Sequence, residues 1–185
     1  DLRSIFASNA TFIGTGMNET YLQNAKFNRY SFSECDGYCG AANLTHAYLA
    51  TADLTNAYLV HADLTDAYLW IADLTDADLE DADLTDADLT SVDLINANLE
   101  DADLTNTRLD NADLTNADLS DAILSDANLG GADLVNAVLE DADLTNADLT
   151  GANLTNADLW DADLTNAYLF YADLTNADLF ATILT

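Results

Sequence analysis

The sequence predicts an all-β solenoid built from very short stacked units, and three observations predict it. Leucine recurs at every fifth residue from Leu44 to Leu184 without exception, which makes 29 consecutive units. Alanine stands two residues before each of these leucines, except at Val92, Thr107 and Thr182. Half of the 185 residues are hydrophobic even though the net charge is -30. So acidic a chain stays unfolded unless it buries enough apolar surface, and here the apolar residues are spaced to be buried together.

A period of five fits neither the 3.6 of a helix nor the 2 of a long strand. Leucine and alanine at positions i and i-2 share one side of an extended segment, so each unit reads as a short strand followed by a turn. Units this short cannot bury their own leucine. Successive units must therefore coil and stack, with backbone hydrogen bonds running along the axis. Alanine suits the second inward position because a larger side chain would overpack a narrow interior. The residue just before leucine is usually Asp or Asn, as in Ala52-Asp53-Leu54-Thr55-Asn56.

That run, A-(D/N)-L-x-x, resembles the pentapeptide-repeat family, of bacterial and in particular cyanobacterial type, over at least three quarters of the chain. The resemblance implies a right-handed quadrilateral β-helix with four units per coil. At strand-like spacing this gives about nine coils and a rod on the order of 45 Å long. It also implies a protein without catalytic activity, acting as an interaction or structural scaffold. Some relatives imitate DNA and bind type II topoisomerases such as DNA gyrase, which underlies quinolone resistance.

The chain divides into residues 1–41, degenerate first coils or a cap, and residues 42–185, the regular body. Phe12, Met17, Leu22, Phe27 and Phe32 keep the period of five, but Phe32 and Leu44 are twelve apart where ten would keep register. A small loop at Glu34–Gly40 takes up the difference. It holds both cysteines, Cys35 and Cys39, spaced to close a disulfide clip; free thiols and a metal site are the alternatives. A disulfide fits an oxidising compartment, a periplasm or thylakoid lumen, with the cytoplasm as the alternative. The start at Asp1 without Met fits removal of a signal peptide. Residues 1–41 carry Arg3, Lys26 and Arg29 against four acids, so the remaining -29 belongs to the body.

No catalytic, cofactor-binding or metal-ligating set emerges. The repeat produces acid pairs at every coil, and a convex rod offers no cleft for them. His46 and His61, fifteen residues apart, fall on different faces as surface residues. Calcium needs six to eight oxygens wrapped around it, which outward side chains on a flat strand do not supply. No run of apolar residues is long enough to span a membrane, and no basic stretch grips nucleic acid directly.

Sorting the body by twenty gives four faces. Leu44, Leu64 and their successors carry Thr or Ser after every Leu, read as a β-branched ladder on a solvated strand. The Leu54 series stacks Asp53, Asp73, Asp93, Asp113 and Asp133. The Leu79 series is the most acidic, with Glu80, Glu100 and Glu140 beside Asp81, Asp101 and Asp141, and stacked like charges predict raised carboxylate pKa values. Arg108, the body's only base, stacks between Asp88 and Asn128 for a local salt bridge. Tyr48 is expected to stack on Tyr68, and Trp160 on Phe180. Trp160, Tyr168, Phe170, Tyr171 and Phe180 form a candidate interface at the C-terminal end. A homodimer through that end, or an unknown protein partner, is expected there. The charge also suits a DNA mimic, since about 35 Å of body carries -29, whereas duplex DNA has roughly 20 charges over that length.

Overall fold

The computed structural model describes residues 42–185. The expectations for residues 1–41, including the boundary at 41, the Cys35–Cys39 clip and the early coils, lie outside the described residues.

The body is a β-helix in which residue i pairs in parallel with residue i+20 along the whole described length, from Asn43 with Asp63 to Asp163 with Ile183. Twenty residues with four turns make one coil, so the rod has four sides. Face 1 is the file starting at Leu44, face 2 that starting at Leu49, face 3 that starting at Leu54 and face 4 that starting at Leu59. Faces 2 and 4 lie on opposite sides.

Within each unit a complete accounting of backbone donors explains the sequence. In residues 112–116, the Ala112 N–H donates to Leu109 O across a turn at 3.0 Å, and the Asp113 N–H donates back to Val92 O of the preceding coil at 2.9 Å. The Leu114 N–H donates forward to Asp133 O at 2.7 Å, and the Asn116 N–H donates forward to Val135 O at 2.9 Å. One donor is left over, the Thr115 N–H. It is taken by the Asp113 carboxylate at 3.0 Å. Asp or Asn before leucine is therefore an Asx turn repeated along the rod, and it satisfies the one amide that the coil cannot reach.

The turn also fixes the last position of each unit. Residues two after leucine have φ near +57°, the left-handed region that Asn and Asp tolerate best. Asn or Asp fills most of these corners, and Gly131 and Gly151 fill two more with φ of +68° and +72°. The paired strand is only one residue wide. The threonines of face 1 are thus turn residues and not members of a solvated strand, a correction to the expected ladder. The hydroxyls of Thr65, Thr105 and Thr165 turn back onto the Asx carboxylate, as Thr105 Oγ1 does to Asp103 Oδ1 at 2.6 Å.

Leucines 44 to 159 are fully buried, and the alanines between them are nearly so. Burying each leucine is worth about 1.5–3 kcal/mol, so the stacked files supply the stability. Two of the irregular inward positions are polar. Thr107 is completely buried, and its Oγ1 donates to Leu84 O at 2.8 Å; Thr182 does the same to Leu159 O at 2.8 Å. The second lone pair of a turn carbonyl lets threonine replace alanine without an orphaned hydroxyl.

Candidate interaction surfaces

With leucine and alanine turned inward, three positions per unit remain for outside contact: the bridging residue before leucine and the two turn residues after it. What each face presents follows from these three columns.

Face 4 presents acid. From Tyr58 to Asp161 it carries eleven carboxylates and no Lys or Arg. Partial desolvation, then Asp118, Glu80, Asp101 and Asp121, push the Glu100 carboxyl above its ordinary 4.5. Glu140 is raised in the same way, by partial desolvation and then by Asp141, Asp158, Asp121 and Asp161. On face 3, Asp93 is raised by desolvation and by its stacking neighbours Asp73 and Asp113. The expected rise is not general, however. Desolvation would raise Asp143, but hydrogen bonds from Thr145 and Ser125 outweigh it and hold this carboxyl below 3.8. Asp173 is likewise held down by Thr175 through its hydroxyl and its N–H. Asp143 and Asp173 are each compensated by the threonine that follows; Asp93 is followed by Ile95, and Glu100 and Glu140 are turn residues outside the Asx position.

The corner between faces 3 and 4 carries an amide ladder. Asn176 Nδ2 donates to Asn156, Asn156 to Asn136, Asn136 to Asn116, Asn116 to Asn96, and Asn96 to the Asp76 carboxylate, at 3.0–3.2 Å. A shallow groove beside it is lined by Asn56, Tyr58, Asp76, Asp78, Asn96 and Asn98. Its two carboxylates already accept from Asn96 and from Asn98, the latter at 3.1 Å.

Face 2 presents almost no net charge. Arg108 binds Asp88 at 3.2 Å, as its stacking suggested, and also Asp110 at 3.3 Å. Tyr48 and Tyr68 stack with ring centroids 4.4 Å apart. The histidines sit at corners beside acids, His46 at 3.5 Å from Asp66 and His61 at 3.2 Å from Asp81.

The five aromatic candidates of the C-terminal end do not form one cluster. Tyr168, Phe170 and Tyr171 stand on face 2, whereas Trp160 and Phe180 stand on face 4. Trp160 and Phe180 are tilted by 44° at 6.4 Å and are not stacked. Sorting by twenty contained this separation, since 170 and 180 differ by half a coil. Two further features escaped sequence reasoning. The Asx role of the acids needs the donor count above, and the left-handed corner picks out Ile71 and Tyr171, with φ of +59° and +62°, as bulky residues in a conformation they disfavour.

Among the described residues no group of three metal-ligating side chains is assembled, and no helix is long and apolar enough to cross a membrane.

Comparison with known proteins agrees with this architecture. The profile described as pentapeptide repeats matches in eight copies, at residues 38–70, 72–111, 82–121, 122–161 and 147–185. The chain belongs to the pentapeptide-repeat family and has its right-handed quadrilateral β-helix. Among solved structures it is similar to HetL, a pentapeptide repeat protein involved in heterocyst differentiation regulation in the cyanobacterium Nostoc. HetL is 29% identical over 94% of this chain and 90% of that one, with a TM-score of 0.44. It is similar to QnrB1, a plasmid-mediated fluoroquinolone resistance protein, at 19% identity over 99% of this chain and 91% of that one, with a TM-score of 0.41. A pentapeptide repeat protein of the Arabidopsis thaliana thylakoid lumen is 31% identical over 55% of this chain and 64% of that one, with a TM-score of 0.29. No curated protein matches the chain significantly.

Proposed function

We propose that this chain is a non-enzymatic protein-interaction scaffold. The supporting observation is the division of labour among its side chains. Inward leucines and alanines hold the rod, Asx carboxylates close its turns, and the remaining columns form long faces of sharply different character. Such faces suit protein contact better than the capture of a small substrate. The exposed Trp160, Tyr168, Phe170, Tyr171 and Phe180 are contact residues in this reading, toward an unknown partner or a second copy meeting the C-terminal end. Cross-linking in the native host tests it, comparing the parent chain with Glu80→Gln/Glu100→Gln/Glu140→Gln on face 4 and Tyr168→Ala/Phe170→Ala on face 2. A partner lost with one set and kept with the other supports the scaffold; no cross-linked species with the parent chain overturns it.

The acid on face 4 favours a second reading, a DNA mimic that occupies the DNA channel of a type II topoisomerase. The expected result is salt-sensitive inhibition of supercoiling by purified bacterial gyrase, weakened about tenfold by the three Gln substitutions. Full supercoiling at high micromolar protein sinks this reading. An oxidising location, periplasm or thylakoid lumen, is proposed from Cys35 and Cys39, and thiol labelling of protein from the native host tests it.

A further inference from the structure

Face 2 repeats one apolar pattern at its two ends. Tyr68, Trp70 and Ile71 occupy its bridging and two turn columns, and Tyr168, Phe170 and Tyr171 occupy the same columns 100 residues later. Five coils separate the sets, about 24 Å along the rod. Tyr68 and Tyr168 are 38% and 54% exposed, Phe170 68%, and Ile71 and Tyr171 58% and 92%. Ile71 and Tyr171 also hold the left-handed backbone of their corners. A β-branched or bulky residue is strained there, and the repeat's usual Asn would be more comfortable.

We propose that face 2 is a self-complementary surface on which two copies of this chain pair side by side, with their rods antiparallel. A two-fold axis in the interface and perpendicular to the rods keeps each column facing itself and reverses the order of coils. Tyr68 then meets Tyr168 of the second copy, Trp70 meets Phe170, and Ile71 meets Tyr171. The intervening coils also match. Asp110 faces Gly130, Asn111 faces Gly131 and Ser91 faces Gly151, so a side chain on one copy meets a position without Cβ on the other. Arg108 faces Asn128, and Thr90 faces Thr150.

Charge selects this face over the others. Between its two apolar sets it has three acids, Asp88, Asp110 and Asp148, and the Arg108 guanidinium holds two of them. Antiparallel pairing sets one like-charged pair against itself, Asp88 with Asp148. Face 4 also has aromatics near its ends, but eleven carboxylates line it from Asp78 to Asp161, and two copies would repel there.

This pairing rests on reading the exposed aromatics as contact residues, and it differs from end-on contact in needing residues five coils from the C-terminal coil. The test is sedimentation equilibrium of the full chain with Ile71→Asn, Tyr171→Asn, Asp148→Asn and Trp160→Ala/Phe180→Ala. Asparagine is the repeat's own corner residue, so the first two variants should melt no lower than the parent, and a lost dimer is not lost folding. A dimeric parent is expected, with Ile71→Asn and Tyr171→Asn each weakening it about tenfold or more, because symmetry removes each contact twice. Asp148→Asn keeps the Asx bond to the Thr150 N–H, removes the facing repulsion and should tighten the dimer roughly threefold. The Trp160/Phe180 pair should leave it unchanged. A dimer insensitive to Ile71→Asn and broken by Trp160→Ala/Phe180→Ala overturns antiparallel pairing in favour of end-on contact. A parent that is monomeric at several hundred micromolar overturns both.

Discussion

Faces 2 and 4 hang on the same scaffold and offer opposite surfaces. Each has a leucine file that is fully buried up to its last member, Leu169 on face 2 and Leu179 on face 4, with the same turns and the same ladder of backbone bonds. Between its aromatic ends face 2 carries three acids and one base, whereas face 4 carries eleven acids from Asp78 to Asp161. In this fold, then, the surface is written almost independently of the core. Three outward columns per face can be filled with apolar, neutral or acidic residues while the coil persists, provided that the Asx position keeps an acceptor wherever the turn amide needs one.

If the faces share one core, a core defect should abolish both at once. Leu104→Asp puts an unpaired charge among leucines on face 1, which touches neither surface. It should cost about 4 kcal/mol or more and unfold or break the coil. The measurement is thermal melting by circular dichroism, and a near-native melting temperature would contradict the inward assignment. A smaller effect separates carboxylates that hold the turn from those that only decorate it. Asp113→Ala removes the acceptor of the Thr115 N–H and should cost about 1 kcal/mol, whereas Asp113→Asn should be nearly neutral. Equal losses for the two would mean that the charge, and not the Asx bond, matters at this position.

The period of five, the inward leucines and alanines, the stacking of Arg108 on Asp88 and the Tyr48–Tyr68 contact were all legible in the sequence, because a strict repeat turns sequence distance into spatial distance. Positions that depend on the backbone inside one unit were not. The threonine after leucine looks like a β-branched strand residue, and only the single-residue bridge places Thr105 in a turn with its hydroxyl on Asp103. In the same way Ile71 and Tyr171 look like ordinary outward residues until the φ of their corners is known. The division of the C-terminal aromatics was present in the numbering, but proximity along the chain hid it: Phe170 and Phe180 are ten residues apart and point to opposite sides.

The smallest effect expected concerns the carboxylates themselves, and it separates face 4 from the Asx files. Glu100 and Glu140 are raised above 4.5, by desolvation first and their acidic neighbours next, and Asp93 is raised above 3.8. In the pH range of those raised values the folded state binds more protons than the unfolded chain, so stability should increase as pH falls from neutral through it. Asp143 and Asp173 behave in the opposite sense. Their hydrogen bonds hold them below 3.8, so the stability they contribute is complete above that value and disappears as pH falls through their lowered pKa. The melting temperature should therefore rise in mild acid, pass through a maximum and then drop. Added salt at neutral pH should also raise it, by screening the face 4 repulsion. Because the maximum falls near the isoelectric point of about 4.1, dilute protein is needed to avoid precipitation. Glu100→Gln/Glu140→Gln should raise the melting temperature at pH 7 and flatten both the rise in acid and the response to salt. A parent whose melting temperature falls steadily from neutral pH downward would mean that the Asx hydrogen bonds outweigh face 4 throughout, and that the eleven carboxylates are tolerated there at no cost to the fold.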